Sequence, residues 1–267
     1  MGADIKNLRV RIKSVDSTLH LTKAMGLVAS SKIRRSMDSM MKGRQYSAAV
    51  ENTVDVLTAS SECKKSPYMQ KRDTDRIRLI VIAGDRGLAG GYNVNVFKLA
   101  SSIESADVFT IGKRACEKYG KEVNSSETFT YDDAIVLSKQ LCEDFANGMF
   151  DKLGVVFTKY ISMMTQQADI KWVLPLEKSK TTKNTGVIFE PNEITVLNAV
   201  VPEYVAGVLI ACVRESFASE VAARRMAMDS AGKNAQQMID DLQLSYNRAR
   251  QSSITQEITE IVAGSGT

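Results

Sequence analysis

Proline placement constrains the fold of this chain more than any other feature of its sequence. The four prolines of the 267 residues are Pro67, Pro175, Pro191 and Pro202. Proline removes a backbone donor and clashes with the preceding helical turn, so the two proline-free ends can form long, uninterrupted helices. The sequence therefore predicts three parts: an N-terminal helix in residues 1–66, a central domain in 67–202 and a C-terminal helix in 203–267.

The first of these parts carries a heptad pattern. Apolar residues recur at steps of three and four, aliphatic from Ile5 to Leu19, small or polar in the middle, and aliphatic again from Val50 to Leu57. A 3.5-residue period over this length is typical of a coiled coil. The last part carries a less regular stripe that begins at Val205. Helices of roughly 80 Å and roughly 90 Å cannot be buried by their own domain, so we expect them to pair with each other, insert into a partner, or both.

Charge supports the pairing of the two ends. Residues 1–66 carry a net charge of +6 and residues 203–267 a net charge of −2, whereas the middle of the chain is neutral. Opposite net charges suit two helices that pack together.

The middle of the chain alternates short apolar runs with helical segments. The predicted strands cover 77–83, 106–111, 153–158, 170–174 and 186–189, and the predicted helices lie near 93–104, 113–120 and 133–150. Strands that alternate with helices predict a mainly parallel sheet. The expected fold class is therefore α/β: a central Rossmann-like domain with a mainly parallel sheet, and a long antiparallel coiled coil of the N- and C-terminal helices.

Residues that could carry catalysis or bind a metal are few and scattered. His20 is the only histidine, and the four cysteines have neither a CxxC nor a paired spacing, which argues against a zinc site or a histidine-based triad. The glycines of Gly84–Gly91 follow a predicted strand, but their spacing fits neither the GxGxxG nor the GxxxxGK[ST] phosphate-binding motif. We expect a tight turn there that packs closely or touches a partner's backbone. We expect no catalytic residue, cofactor or metal.

A basic cluster in the first part leaves three interpretations open. Its members are Lys32, Arg34, Arg35, Lys42 and Arg44. The cluster fits a solvated face of the coil, a contact with an acidic partner, or a contact with nucleic acid. Tyr46 is the only aromatic residue among residues 1–66, which weakens the nucleic-acid interpretation because single-strand binders stack bases on aromatic rings. An enzyme with a dinucleotide-type domain and a coiled-coil arm is a further alternative.

A membrane-spanning segment is not expected. A membrane helix needs roughly 18 or more consecutive apolar residues. The most apolar run of the chain, Val205–Val213, is shorter than that.

Five segments of the chain resemble one family of proteins. Leu21–Met25 and Val28–Lys32 are similar to the N-terminal helix of the γ subunit of bacterial F-type ATP synthases, and Asp85–Gly91 resembles that family's internal glycine motif. Ser219–Met226 and Asn247–Gly264 resemble its C-terminal helix and closing motif. The segments follow the order and the spacing of the family from residue 5 to residue 264.

The resemblance implies a mechanical function rather than a catalytic one. The two terminal helices would form a shaft inside a ring of three α and three β subunits, and the α/β domain would contact the ε subunit and the membrane ring of c subunits. The chain would be a central rotor stalk that couples ion-driven rotation to ATP synthesis or hydrolysis. It would bind no cofactor, nucleic acid or small-molecule substrate. It would be a peripheral membrane protein on the cytoplasmic face of the cell membrane.

The resemblance also assigns contact residues by position. The segment facing an acidic lever of the β subunit would contain Lys23, Met25, Lys32, Arg34 and Arg35. Arg250 and Gln251 would contact the catch loop of β, and Tyr204 would belong to the foot near the c ring. Gly26 departs from the family, which commonly has a larger residue such as Glu there. Because glycine weakens a helix interior, we expect a softer or more closely packed shaft beside Met25.

Overall fold

The chain begins and ends with a long helix, and its strands and shorter helices lie between these two helices in the sequence. The computed structural model describes residues 2–72, 76–121, 124–178 and 189–265. Helix α1 covers Gly2–Thr58 and helix α5 covers Glu193–Gly264, with 57 and 72 residues. At 1.5 Å per residue, these helices are roughly 85 and 110 Å long.

Helix α5 begins earlier than the proline pattern indicates. Its first residue is Glu193, so Pro202 lies inside the helix. A proline in a helix interior removes one backbone hydrogen bond. The neighbouring residues Val201 and Val205 are fully buried, and this core packing outweighs the local loss.

The first compact unit is an antiparallel helix pair. It contains the chain up to Ser31 and again from Arg224 onward. Leu19 packs in one apolar cluster with Ala235 and Ile239. The Arg9 guanidinium donates a hydrogen bond of 2.8 Å to the hydroxyl of Tyr246. Contacts on α5 thus move toward the C-terminus as those on α1 move toward the N-terminus, which confirms the predicted antiparallel pairing in this unit.

The second compact unit, Lys32–Ala223, contains a four-stranded sheet. Its strands are β1 (Ile77–Ile82), β2 (Asp107–Ile111), β3 (Lys152–Tyr160) and β4 (Gln166–Leu174), arranged in the order β2-β1-β3-β4. Strand β1 pairs in parallel with β2 and β3, and β4 pairs with β3 in the antiparallel direction. The predicted mainly parallel sheet is confirmed. Most of the strand predicted at 186–189 lies outside the described residues.

Helices cover both faces of this sheet. Helices α2 (Tyr92–Ser101) and α3 (Lys113–Tyr119) contribute to the smaller apolar cluster, together with Leu79 and Val81 of β1. Helix α4 (Tyr131–Ala146) joins the larger cluster, which also contains the end of α1 and the first third of α5. The sheet is therefore buried between two layers, as its near-continuous apolar strands indicate.

One segment of α5 has the length and the apolar composition of a membrane helix. An 18-residue window of this helix is long and apolar enough to cross a membrane by length and composition, contrary to our expectation, but 67% of it is buried inside the protein. Its residues Val205, Leu209 and Val213 belong to the larger core cluster. The window is therefore accounted for as the core helix of the α/β unit.

Candidate partner-contact surfaces

Helix α5 is hydrogen-bonded to strand β3 at the point where β1 ends. The parallel pairing of β1 with β3 reaches Val156, so the backbone of Thr158 lies beyond it. Ser216 on α5 accepts a hydrogen bond of 3.0 Å from the Thr158 amide, and the Ser219 hydroxyl donates one of 3.1 Å to the Thr158 carbonyl. Two helix side chains thus replace the missing strand neighbour.

The backbone of Tyr160, two residues further along β3, is held by an ion pair. The buried carboxylate of Glu215 on α5 accepts a hydrogen bond of 3.0 Å from the Tyr160 amide. Arg44 on α1 donates two hydrogen bonds to this carboxylate, of 3.0 and 2.6 Å, and a third of 2.9 Å to the Tyr160 carbonyl. The hydrogen bond to Glu215 raises the pKa of Arg44 above its ordinary value. The pair therefore ties α1, α5 and the sheet together.

This docking occupies the crevice where open α/β sheets bind ligands. Such sheets bind at the carboxyl ends of neighbouring strands whose connections lead to opposite sides, as β1 and β3 do here. The Tyr92 hydroxyl donates a hydrogen bond of 3.0 Å to the Ser216 carbonyl in this crevice. Glu220 is 2% exposed, and a Cβ on Gly84 would lie only 2.7 to 3.0 Å from its carboxylate. The chain's own helix therefore fills the crevice.

The glycine motif after β1 forms a tight turn organised by Asp85. Its carboxylate accepts hydrogen bonds of 2.9 to 3.0 Å from the amides of Lys113, Ser126 and Glu127, and one of 2.6 Å from the Ser125 hydroxyl. Burial acts to raise the pKa of Asp85, but these four hydrogen bonds outweigh it and the pKa is lowered. Of our two alternatives for this motif, the structure supports the closely packed turn.

Replacing Asp85 by asparagine should remove a pH dependence from the stability of the α/β unit. The pKa of folded Asp85 lies below its unfolded value of roughly 3.9. The ionised carboxylate therefore stabilises the fold above about pH 4, and this contribution is lost as the pH falls through the folded pKa. We expect the unfolding free energy of the variant, measured in urea, to fall less steeply between about pH 4 and pH 2.

The matched control for this experiment is Asp132→Asn, which changes an exposed carboxylate on α4. The same change of slope in both variants would contradict the role of the Asp85 hydrogen bonds.

The basic cluster of α1 divides into internal and outward-facing members. Lys32 forms an ion pair with Glu127, and Arg44 is bound to Glu215. Arg34 and Arg35 are exposed, and no ion pair is found for either within the part of the chain that the structure describes. Only some of the predicted cations are therefore available to an acidic partner without breaking a contact of the fold.

The remaining predicted contact residues of α1 lie in the first unit. Lys23 is exposed and Met25 is half-buried. Their neighbour Leu27 is 71% exposed. The heptad pattern does not single out Leu27, because it selects the buried positions of the seam. Apolar residues outside the seam are the signal for a partner surface.

Arg250 and Gln251 lie on an exposed segment of α5. Three apolar side chains that follow them, Ile254, Ile258 and Ile261, are exposed as well. Exposed apolar side chains on one helix indicate a surface that another protein covers.

Tyr204 has a different environment from the other predicted contacts. Its side chain is 8% exposed, and burial raises its pKa. It lines a cavity of about 900 Å³ together with Glu51, Asp55 and Trp172. The contact of Tyr204 with a membrane ring stays a prediction.

The sequence matches a known family along nearly its whole length. A family model described as ATP synthase matches residues 4–267. The chain is 40% identical to the ATP synthase gamma chain of Ruminococcus albus, over 98% of both chains. It is 36% identical to the sodium ion specific ATP synthase gamma chain of Acetobacterium woodii, over 99% of this chain and 98% of that one.

Solved structures share the fold. A chain of the Euglena gracilis mitochondrial ATP synthase, solved with OSCP, F1 and the c-ring, superimposes with a TM-score of 0.68. That match has 16% sequence identity and covers 98% of this chain and 94% of the other. A chain from the central stalk and c-ring structure of the Tetrahymena thermophila mitochondrial ATP synthase gives a TM-score of 0.62 at 19% identity, over 79% of this chain and 99% of that one. At these identities the likeness shows the fold alone.

Proposed function

This chain belongs to the family of ATP synthase gamma chains, and we propose that it turns inside the α3β3 ring as the shaft of a rotary motor. It is a central-stalk subunit and not the catalytic one. The observation that carries this function is the 40% identity to a gamma chain over 98% of both sequences. The ring, the ε subunit and the c ring are its partners. The complex is membrane-bound, and we propose that the chain lies on the cytoplasmic face of the cell membrane.

The exposed cations of α1 support a contact with an acidic lever of the β subunit. We assign this contact to Lys23, Met25, Lys32, Arg34 and Arg35. Exposed ion pairs are weak, so that they can form and break at every rotational step. Arg34 and Arg35 suit this role best, because Lys32 is already engaged with Glu127.

Two further contacts are proposed at other points of α5. Arg250 and Gln251 would meet the catch loop of β, where the exposed isoleucines that follow them need a partner to cover them. Tyr204 would belong to the foot at the c ring, through the surface around its cavity rather than through its buried ring. The division into 1–66, 67–202 and 203–267 stays a prediction.

The function is tested by purifying the complex from native membranes through a tag on this chain. We expect the α, β and ε subunits to co-purify in a complex with ATPase activity. A chain that comes out alone, or bound to RNA, would overturn the assignment as a shaft.

Charge reversal of the outward-facing arginines should weaken coupling. We expect Arg34→Glu and Arg35→Glu each to lower ATP-driven ion transport by roughly two- to fivefold, because each loses an attraction worth up to about 1 kcal/mol. The measurement is the membrane potential of inverted vesicles, read with a potential-sensitive dye. Lys42→Glu reverses an exposed charge on the same helix and serves as the control. Equal losses in all three variants would point to net charge rather than to a specific contact.

A further inference from the structure

The cavity of about 900 Å³ beside Tyr204 lies at one end of the sheet of the α/β unit. Its wall contains Ile77 and Lys152, which are the first residues of β1 and β3. The cavity is therefore at the amino ends of these two parallel strands, whereas α5 fills the crevice at their carboxyl ends. Its volume falls within the range of small-molecule sites. One end of the sheet is thus occupied by the chain's own helix, and the other has room for a ligand.

One part of the wall is apolar and well packed. Val54 of α1, Val173 of β4 and Leu176 are buried and line the cavity. Trp172 is 48% exposed, and its ring is packed against Gly154, where an added Cβ would lie 3.0 Å from it. Because packing fixes the ring while much of it stays exposed, the indole can stack against a ligand.

The hydroxyl of Tyr204 is a polar group in this wall that lacks a partner. The side chain is more than nine-tenths buried, and no hydrogen bond to its hydroxyl is found within the described residues. Burial, and then the negative charges of Glu51 and Asp55, raise the pKa of Tyr204, so both carboxylates are near it. Buried polar groups are normally hydrogen-bonded, and a molecule bound in the cavity supplies a partner.

Most charged side chains of the wall are already engaged within the protein. Arg72 donates hydrogen bonds to two main-chain carbonyls and lies 3.8 Å from the buried carboxylate of Asp151. Lys152 is not free either. Glu51 forms an ion pair with Lys171. These charges therefore do not decide what the cavity binds.

Asp55 is the carboxylate that remains. No ion pair is found for it in the parts of the chain that the structure describes. Lys71 and Glu177, the other exposed charges of the wall, have opposite signs. Carboxylate and hydroxyl oxygens accept hydrogen bonds from an ammonium group, and an indole attracts a cation to its face. Asp55, Tyr204 and Trp172 together therefore suit a positively charged ligand.

We propose that this cavity binds a small organic cation, with its charged group at Asp55 and Tyr204 and its apolar body against Trp172. The bound cation contacts α1, α5 and β4 together and binds only the folded chain, so it stabilises the α/β unit. The proposal does not depend on the proposed function, because all three residues belong to that unit.

The binding is tested by fluorine NMR of the full-length chain. Trp172 is the only tryptophan, so the chain labelled with fluorotryptophan gives a single resonance. The probe is phenethylammonium, and phenethyl alcohol and phenylacetate are its neutral and anionic counterparts. We expect the cation to shift the resonance saturably, with a dissociation constant at least tenfold below those of the other two compounds. Equal binding of all three, or no saturable shift with the cation, would overturn the proposal.

Two variants assign the contacts of the charged group. Tyr204→Phe removes only the hydroxyl, and Asp55→Asn removes only the charge of an exposed side chain. Each should raise the dissociation constant of phenethylammonium several-fold, whereas Asp132→Asn on α4 should leave it unchanged. Because Asp55 is exposed, its variant keeps the test valid if Tyr204→Phe also weakens the fold. Unchanged affinity in Asp55→Asn, or an equal loss in Asp132→Asn, would reject the cation site.

Discussion

Replacing Arg44 by methionine is expected to lower the unfolding free energy of the α/β unit by about 3 kcal/mol. The substitution leaves the buried Glu215 carboxylate with only the Tyr160 amide as its hydrogen-bond donor among the contacts described above. Removal of one partner of a buried ion pair typically costs about 3–5 kcal/mol. We place the effect at the lower end because the Arg44 side chain is itself partly exposed.

A double substitution separates the unpaired charge from the lost packing. In Arg44→Met/Glu215→Met both charges are absent, and apolar replacement of a buried pair is often neutral or stabilising. We therefore expect the double variant to be more stable than Arg44→Met alone. Urea unfolding and hydrogen exchange at the β3 amides measure the effect, with the exposed Lys42→Met as control. Additive losses in the double variant would show that the ion pair is not the source of the effect.

Replacing Gly112, which lies between β2 and α3, by alanine is expected to lower the unfolding free energy of the α/β unit by about 4 kcal/mol or more. Gly112 has a φ of +101°, and its added Cβ would lie 2.0 Å from the Ala83 carbonyl oxygen. The two strand ends that meet here would have to separate, because the obstacle is backbone rather than a flexible side chain.

Gly120→Ala is the matched control for this substitution. Gly120 ends α3 with a φ of +62°, but nothing lies within 4 Å of its added Cβ. Gly120→Ala should lower the unfolding free energy by only about 1–2 kcal/mol, which is the cost of the left-handed conformation for a residue with a Cβ. The comparison uses soluble yield and the midpoint of urea unfolding. Similar losses at Gly112 and Gly120 would show that backbone conformation, and not the clash, dominates at Gly112.

The long helices and the α/β order could be predicted because their signals are local. A 3.5-residue period and short apolar runs bounded by glycine depend on neighbouring residues alone. The beginning of α5 could not be predicted in this way. Pro202 is a local signal against a helix, and the burial of Val201 and Val205 that overrides it arises only in the folded chain.

The candidate contact residues were harder to predict because their partners are distant in sequence. The cluster around Lys32 and Arg44 is uniform as a sequence pattern, but Glu127 and Glu215 engage these two residues from 95 and 171 positions away. The burial of Tyr204 and the approach of Glu220 to Gly84 are likewise products of the fold. Charge in a sequence therefore indicated where a partner could bind, but not which cations were still available to it.

The docking of α5 in the crevice of the sheet makes that helix an intramolecular ligand. A free nucleotide binds according to its concentration, whereas a tethered segment has an effective concentration fixed by the chain that carries it. We therefore expect the helix to stay in the crevice of the α/β unit at any nucleotide concentration, because the helix and the sheet belong to one chain.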